Sequence, residues 1–233
     1  MIFKPRKQHA YVQPNTIGRD FIVGDLHGQL QALYRQLLQH NFDFDIDRVF
    51  CTGDLIGRGP NTSDVLNLLT EKWFFSVMGN HEQLFLMGFD NQKYWDVLIQ
   101  DNGSWLRHHL HRFDILMRWK TLIEICMPLS FTIAINGKQI GITHASSIEH
   151  WGRLQHGDLS AKEVWSCLWS RPLKASYIEP IKQVDAVVHG HSPVANITQY
   201  RNRYWIDTYQ ANKRLNISLA ACFLSVEPPN REK

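Results

Sequence analysis

The sequence predicts an α/β protein, a two-sheet β-sandwich flanked by helices. Three observations lead there. Strand and helix patterns alternate through the first ~90 residues, the middle of the chain reads as helix, and the second half is rich in short strand patterns.

The apolar run at 20–23, Asp-Phe-Ile-Val, is a short buried strand. Leu30, Leu33, Leu37 and Leu38 then share one face of a helix over 30–40. Residues 48–52 form the next strand, and Thr62 or Ser63 caps a helix carrying Val65, Leu66, Leu68 and Leu69. A third strand, 73–78, runs into Gly79. Such alternation builds a parallel sheet with covered faces, whose ligands sit beyond the carboxyl ends of the strands. Asp25, Asp54 and Asn80 fall there. From 83 to 128, Leu, Trp and Met recur with a break at Asp101-Asn102-Gly103. A helical cap over about 84–128 is expected beside the site, inside a single domain spanning 1–233. Residues 131–135 and 139–143, joined by Asn136-Gly137, carry a hairpin signal. A helix at 160–169 and strands at 184–188, 194–200, 204–206 and 217–226 complete the prediction.

Composition narrows the function classes. An apolar content of 44% and a charged content of 20% describe an ordinary soluble globular chain, and 233 residues suffice for one large α/β domain. The net charge is +3 with basic residues scattered, which argues against a nucleic-acid partner and suits a small anionic substrate. Cys51, Cys126, Cys167 and Cys222 lie far apart with no C-x-x-C, so a reduced, cytoplasmic setting is expected, with Cys51 a buried thiol in its apolar run. Lys4, Arg6 and Lys7 are not followed by the apolar core of a signal peptide. No stretch reaches the ~18–20 apolar residues of a membrane span, and no membrane partner is expected.

Five glycine-flanked or strand-terminal motifs carry the chemistry: Gly24-Asp25-Leu26-His27-Gly28, Gly53-Asp54, Gly79-Asn80-His81-Glu82, Thr143-His144-Ala145 and His189-Gly190-His191-Ser192-Pro193. Asp25 and His27, two apart at a strand end, can turn toward one ion. Asp54 is the natural bridging carboxylate, since each oxygen can bind a metal. Asn80 offers an amide oxygen, and His144 and His191 offer imidazole nitrogens. Singly, such an aspartate is ordinarily a turn or cap residue and such a histidine a polar surface residue. The ordered set instead indicates a two-metal hydrolytic centre acting at phosphorus, with Mn²⁺, Fe or Zn²⁺ favoured over Ca²⁺. His40, His108, His109, His111, His150 and His156 lack motif context and read as surface or loop residues.

The motifs, in this order over about residues 21–224, resemble those of the calcineurin-like metallophosphoesterase superfamily. Within it they are most similar to the phosphoprotein phosphatase branch, in particular the short bacterial and bacteriophage lambda-type serine/threonine phosphatases. The resemblance implies a first metal held by Asp25, His27 and Asp54, and a second held by Asp54, Asn80, His144 and His191. The cofactors implied are two divalent ions, Mn²⁺ first, with Fe, Zn or Ni as alternatives. A hydroxide between them would attack phosphorus, and His81 would protonate the leaving oxygen. Arg58, in Gly57-Arg58-Gly59-Pro60, and Arg171, in Trp169-Ser170-Arg171, resemble the family's phosphate-binding arginines, with Asn80 also touching substrate. Glu82 is expected to support the site or start a helix, and the role of His189 is left open. The implied partner is a phosphoprotein or a phosphorylated small molecule.

The chain departs from the family pattern at two places. The phosphatases place an aspartate, paired with the catalytic histidine, where this chain has Gly57. Restoring that carboxylate would be expected to raise activity on poor leaving groups. The symmetrical dinucleoside tetraphosphatases also lack it, which makes them the alternative reading. Relatives also have glycine where this chain has Tyr209, after Ile206-Asp207-Thr208. Pro193 stands where the wider superfamily's nucleases and phosphodiesterases carry a second histidine, which argues against that class.

Overall fold

The computed structural model describes residues 3–101, 103–174 and 178–224. Its strands are β1 (His9–Val12), β2 (Asp20–Val23), β3 (Arg48–Cys51), β4 (Phe74–Ser76), β5 (Ser130–Ile135), β6 (Lys138–Thr143), β7 (Ala186–His189), β8 (Thr198–Tyr200), β9 (Arg203–Trp205) and β10 (Ile217–Leu219). They form a six-stranded sheet, β1-β5-β6-β7-β9-β8, and a four-stranded sheet, β10-β2-β3-β4. The helices are α1 (Leu30–Gln39), α2 (Thr62–Asn67), α3 (Asn80–Met87), α4 (Lys93–Gln100), α5 (Ser104–Arg107), α6 (Phe113–Cys126), α7 (Trp151–His156), α8 (Ala161–Trp169) and α9 (Tyr209–Asn212).

Strand alternation splits each apolar run between two layers. Phe21 and Val23 join Leu33 and Leu37 of α1 and Val65 and Leu66 of α2 on the outer face of the smaller sheet. Ile22 points the other way, into a layer between the sheets shared with Phe50, Phe131, Ile133, Ile142 and Val188. Phe50 is fully buried there, stacked on Phe75 at 5.0 Å and edge-on to Phe131 at 5.8 Å. Truncating it to alanine would cost about 3–5 kcal/mol. The two-sheet α/β architecture expected from the sequence is the one observed.

β2, β3 and β4 run parallel, as do β6, β7 and β9. The carboxyl ends of these strands carry the motifs. α3 to α6 fill the interval between β4 and β5. A capping box starts α8: Ser160 Oγ accepts the Glu163 N–H, and Glu163 Oε2 accepts the Ser160 N–H at 2.8 Å.

Four expectations need correction. Asn61, not Thr62 or Ser63, stands at the N-cap of α2, which ends at Asn67 before a 3₁₀ turn carrying Leu68 and Leu69. The predicted strand 217–226 stops at Leu219 and becomes a 3₁₀ turn over Ala220–Leu224, while residues 225–226 lie outside the described residues. Ala220 and Phe223 are both buried against the inter-sheet layer, and a three-residue repeat sends both to one side where a strand would separate them. The strand predicted over 194–200 shrinks to β8, because the Val194 N–H is bonded to the Asp207 carbonyl at 2.9 Å. β1 was not predicted at all. It lies parallel to β5 as the outermost strand of the larger sheet. No helix among the described residues is long and apolar enough to cross a membrane.

Candidate metal centre

Asp25 and His27 follow β2, Asp54 follows β3, and Asn80 and His81 open α3 just after β4. From the other sheet, His144 follows β6 and His191 follows β7. His27, Asp54 and His191 hold positive φ angles of 41°, 46° and 60°. For residues with a Cβ this conformation costs roughly 1–3 kcal/mol each, so the surrounding structure must enforce it. Glu82 does part of that. Its carboxylate accepts the backbone N–H groups of Asp54 (3.1 Å), Ile56 (3.0 Å) and Gly79 (2.8 Å). Gly190 does another part: a Cβ there would lie 1.9 Å from Asp25 Oδ1, so only glycine lets β7 approach that carboxylate.

Two groups of buried ligand atoms meet at Asp54. His27, Asp54 and His81 present atoms within 4.8 Å of one another, and so do Asp54, His144 and His191. Asp54 Oδ2 lies 3.6 Å from His27 Nε2 and 3.7 Å from His81 Nε2, while Oδ1 lies 3.5 Å from His144 Nε2. Asn80 Oδ1 is 2.9 Å from His144 Nε2 and 3.0 Å from His191 Nδ1. Two of the imidazoles are oriented through a further contact: His27 Nδ1 meets the Ile56 carbonyl at 3.1 Å, and His144 Nδ1 meets the Thr52 carbonyl at 2.8 Å. Asp25 belongs to neither group. Its Oδ1 accepts from Thr52 Oγ1 and its Oδ2 from the His191 N–H, both at 2.8 Å.

Burial drives the electrostatics. It lowers the His27 and His191 imidazoles to about 3, leaving neutral rings with lone pairs free for a metal. Burial, then Asp207 and Asp54, push the Asp25 carboxyl well above its usual range. Burial and Asp54 push Asp207 up to about 7. For Asp54, burial works in the same upward direction, but His144, His81 and His27 outweigh it and hold the carboxyl well below its usual range. Both Asp207 carboxylate oxygens are buried with no hydrogen-bond partner. Buried carboxylates in each other's fields, beside neutral imidazoles, are a donor set suited to divalent cations.

The rim carries the arginines. Arg58 Nη2 donates to Asp101 Oδ2 at 2.8 Å, and Arg171 Nη1 donates to the His191 carbonyl at 2.8 Å. Both arginines oppose the upward push of burial and Asp54 on the Asp207 carboxyl. Burial opposes charge on His81, but Asp54 and Asp101 outweigh it and raise the imidazole above its ordinary value. Gly57 has φ of +137°, and a Cβ there would stand 2.7 Å from His27 Nδ1 and 2.9 Å from His81 Nδ1. The bare side of the His81 ring faces residue 57.

Other expectations are placed as follows. Glu82 both starts α3 and holds the loops. His189 is fully buried, its Nδ1 2.9 Å from Thr143 Oγ1 and its ring 5.1 Å from that of Trp205. Tyr209 opens α9 and packs against the outer core. His40, His108, His109, His111, His150 and His156 are exposed or half-buried. Sequence reasoning missed Asp101, which it read only as part of a turn, and Gln210, whose Nε2 lies 3.4 Å from His27 Nε2. It quoted Asp207 without assigning it a role, although a carboxylate directly after a strand was the available signal.

Comparison with known proteins agrees with this geometry. The profile of the Calcineurin-like phosphoesterase family matches residues 21–216. Serine/threonine-protein phosphatase 2 of Salmonella typhimurium (strain LT2) is 32% identical over 212 residues, covering 86% of this chain and 92% of that protein. A symmetrical bis(5'-nucleosyl)-tetraphosphatase of Proteus mirabilis is 39% identical over 70 residues, 29% of this chain and 25% of that protein. The fold superposes on a protein serine/threonine phosphatase from Saccharomyces cerevisiae with a TM-score of 0.61 at 14% identity, covering 97% of this chain and 86% of that one. The chain therefore belongs to the calcineurin-like phosphoesterases, a dinuclear metal-dependent family, and is a phosphatase-type hydrolase similar to bacterial serine/threonine phosphatases.

Proposed function

We propose that the protein is a phosphomonoesterase acting on phosphoserine and phosphothreonine in proteins, with Mn²⁺ as its native metal. The observation that carries the reading is His81, whose Nε2 faces the centre 3.7 Å from Asp54 Oδ2 and beside the Arg58–Asp101 pair. A serine or threonine alkoxide is a poor leaving group and needs a proton from such a residue. The 32% identity to a serine/threonine phosphatase over 92% of its length supports the same reading. We also read the described chain as one phosphoesterase domain with α3 to α6 as its cap, in keeping with a family match that spans those helices.

Asp25, His27, Asp54, Asn80, His144 and His191 would hold two divalent cations. When bound, these supply charge neutralisation at the phosphoryl oxygens and an activated water nucleophile. Arg58 and Arg171 bind and orient the phosphoryl group through their guanidinium forks. As the bond from phosphorus to the leaving oxygen breaks, charged His81 gives its Nε2 proton to that oxygen and is left neutral. Glu82 keeps Asp54 in its left-handed conformation throughout.

One observation favours a second reading, hydrolysis of symmetrical dinucleoside tetraphosphates. His81 Nδ1 is buried without a partner, and residue 57 supplies no carboxylate to it. A nucleotide leaving group needs protonation less than an alkoxide does. The test is the ratio of kcat/KM on a phosphothreonine peptide to that on diadenosine tetraphosphate with Mn²⁺-loaded protein. A ratio strongly favouring the peptide is expected, and a ratio favouring the dinucleotide would replace the first reading with the second.

A further inference from the structure

We infer that Asp101 is a positioning residue for phosphomonoester hydrolysis, supplying from the helical insertion the carboxylate contact to His81 that position 57 cannot make. The inference rests on the phosphomonoesterase reading. Asp101 caps the carboxyl end of α4. Its Oδ2 sits 3.2 Å from His81 Nε2 and 2.8 Å from Arg58 Nη2. One oxygen thus ties the group that donates the proton to a group that binds the phosphate.

The two nitrogens of His81 are in opposite situations. Nδ1 is buried with no partner, on the side where a Cβ at residue 57 would stand 2.9 Å away. Nε2 lies 3.2 Å from Asp101 Oδ2 and 3.7 Å from Asp54 Oδ2. A proton on the ring is therefore retained on Nε2, the nitrogen that faces the centre. A side chain at 57 would have held the ring from behind; Asp101 holds it from the rim. The Asp101 side chain is 46% exposed, so it can shift as a phosphoryl group reaches Arg58. Arg58 is itself fixed by this contact, and its remaining donors stay available to the substrate.

Variants Asp101→Ala and Asp101→Asn test this against two substrates. A phosphothreonine peptide has a leaving oxygen that needs a proton, while p-nitrophenyl phosphate releases a stable phenolate. The alanine variant is expected to lose about 10–100-fold in kcat on the peptide, the range for removing a group that orients a reacting one. That loss should exceed the loss on p-nitrophenyl phosphate by about tenfold. The asparagine variant keeps an acceptor oxygen and should recover part of it. A readout independent of turnover is the ¹⁵N spectrum of histidine-labelled, Zn²⁺-loaded protein. The His81 Nε2–H signal should be present in the parent and in Asp101→Asn, and absent in Asp101→Ala.

Equal losses on both substrates with an unchanged Nε2–H signal would overturn the proposal. So would faster turnover with tighter inorganic phosphate binding in Asp101→Ala, because Asp101 would then be a competitor for the phosphate site. A parent protein inactive on the peptide but active on diadenosine tetraphosphate would remove the phosphomonoesterase reading. The ¹⁵N signal would still decide whether Asp101 holds His81.

Discussion

The carboxylate of Glu82 accepts the backbone N–H of Asp54 at 3.1 Å, so a residue of α3 sets the conformation of the carboxylate at the centre of the site. The same carboxylate holds Ile56 and Gly79. It fastens the loops after β3 and β4 to each other, and Asp54 keeps its φ of 46°.

Glu82→Ala leaves three buried N–H groups without acceptors, each costing about 1–3 kcal/mol. A loss of at least about 3 kcal/mol in denaturant titrations is expected on that count, together with reduced metal content by elemental analysis. Unchanged stability would mean that water replaces the carboxylate.

Gly57→Asp should lower activity and stability. The sequence alone suggested the opposite, that a carboxylate at this position would help His81. The structure corrects this, because φ of +137° is open to glycine and unfavourable to aspartate, at roughly 1–3 kcal/mol. The new Cβ would also press on His27 Nδ1 at 2.7 Å. Calorimetric melting and peptide turnover would both register the effect; a more active variant would show that the loop can re-form around a side chain.

Chelation should destabilise the protein. Asp25, Asp54 and Asp207 crowd one buried region, and cations bound only by the folded state stabilise it by mass action, about 4 kcal/mol at a thousand times Kd. The melting temperature should fall with EDTA and return with Mn²⁺. A melting temperature indifferent to both would contradict the metal centre.

His9 should make the fold sensitive to mild acid. Burial, with a contribution from Lys7, lowers its imidazole from 6.5 to about 4. The unfolded chain therefore binds the extra proton first, and stability falls as pH drops from about 6.5 toward 4. His9 packs edge-on to Trp151, with Nδ1 2.8 Å from Ser130 Oγ. His9→Gln should flatten that part of the stability curve, measured at fixed metal concentration, and an unaltered slope would assign the acid sensitivity elsewhere.

Asp25, His27, Asp54, Asn80, His144 and His191 were legible in the sequence because each lies in a short motif directly after a strand. The chain itself delivers such residues to the carboxyl edge of a parallel sheet. The short apolar runs at 20–23 and 48–51 likewise announced buried strands, since successive side chains of a strand point to opposite faces and a continuous run is apolar on both. β1 was not legible, because His-Ala-Tyr-Val carries little apolar signal and becomes a strand only by pairing with β5, far along the chain. Nor could the turn at Ala220–Leu224 be read, since it depends on where the inter-sheet layer receives Phe223. Asp101 is the sharpest case. Within its own segment it is a polar residue ending a helix, and its contact with Arg58 spans 43 positions. Sequence alone determined which candidate ligand residues stand at which strand ends; tertiary structure decided which carboxylate lies near which imidazole, because those contacts depend on how separate segments pack across the rim.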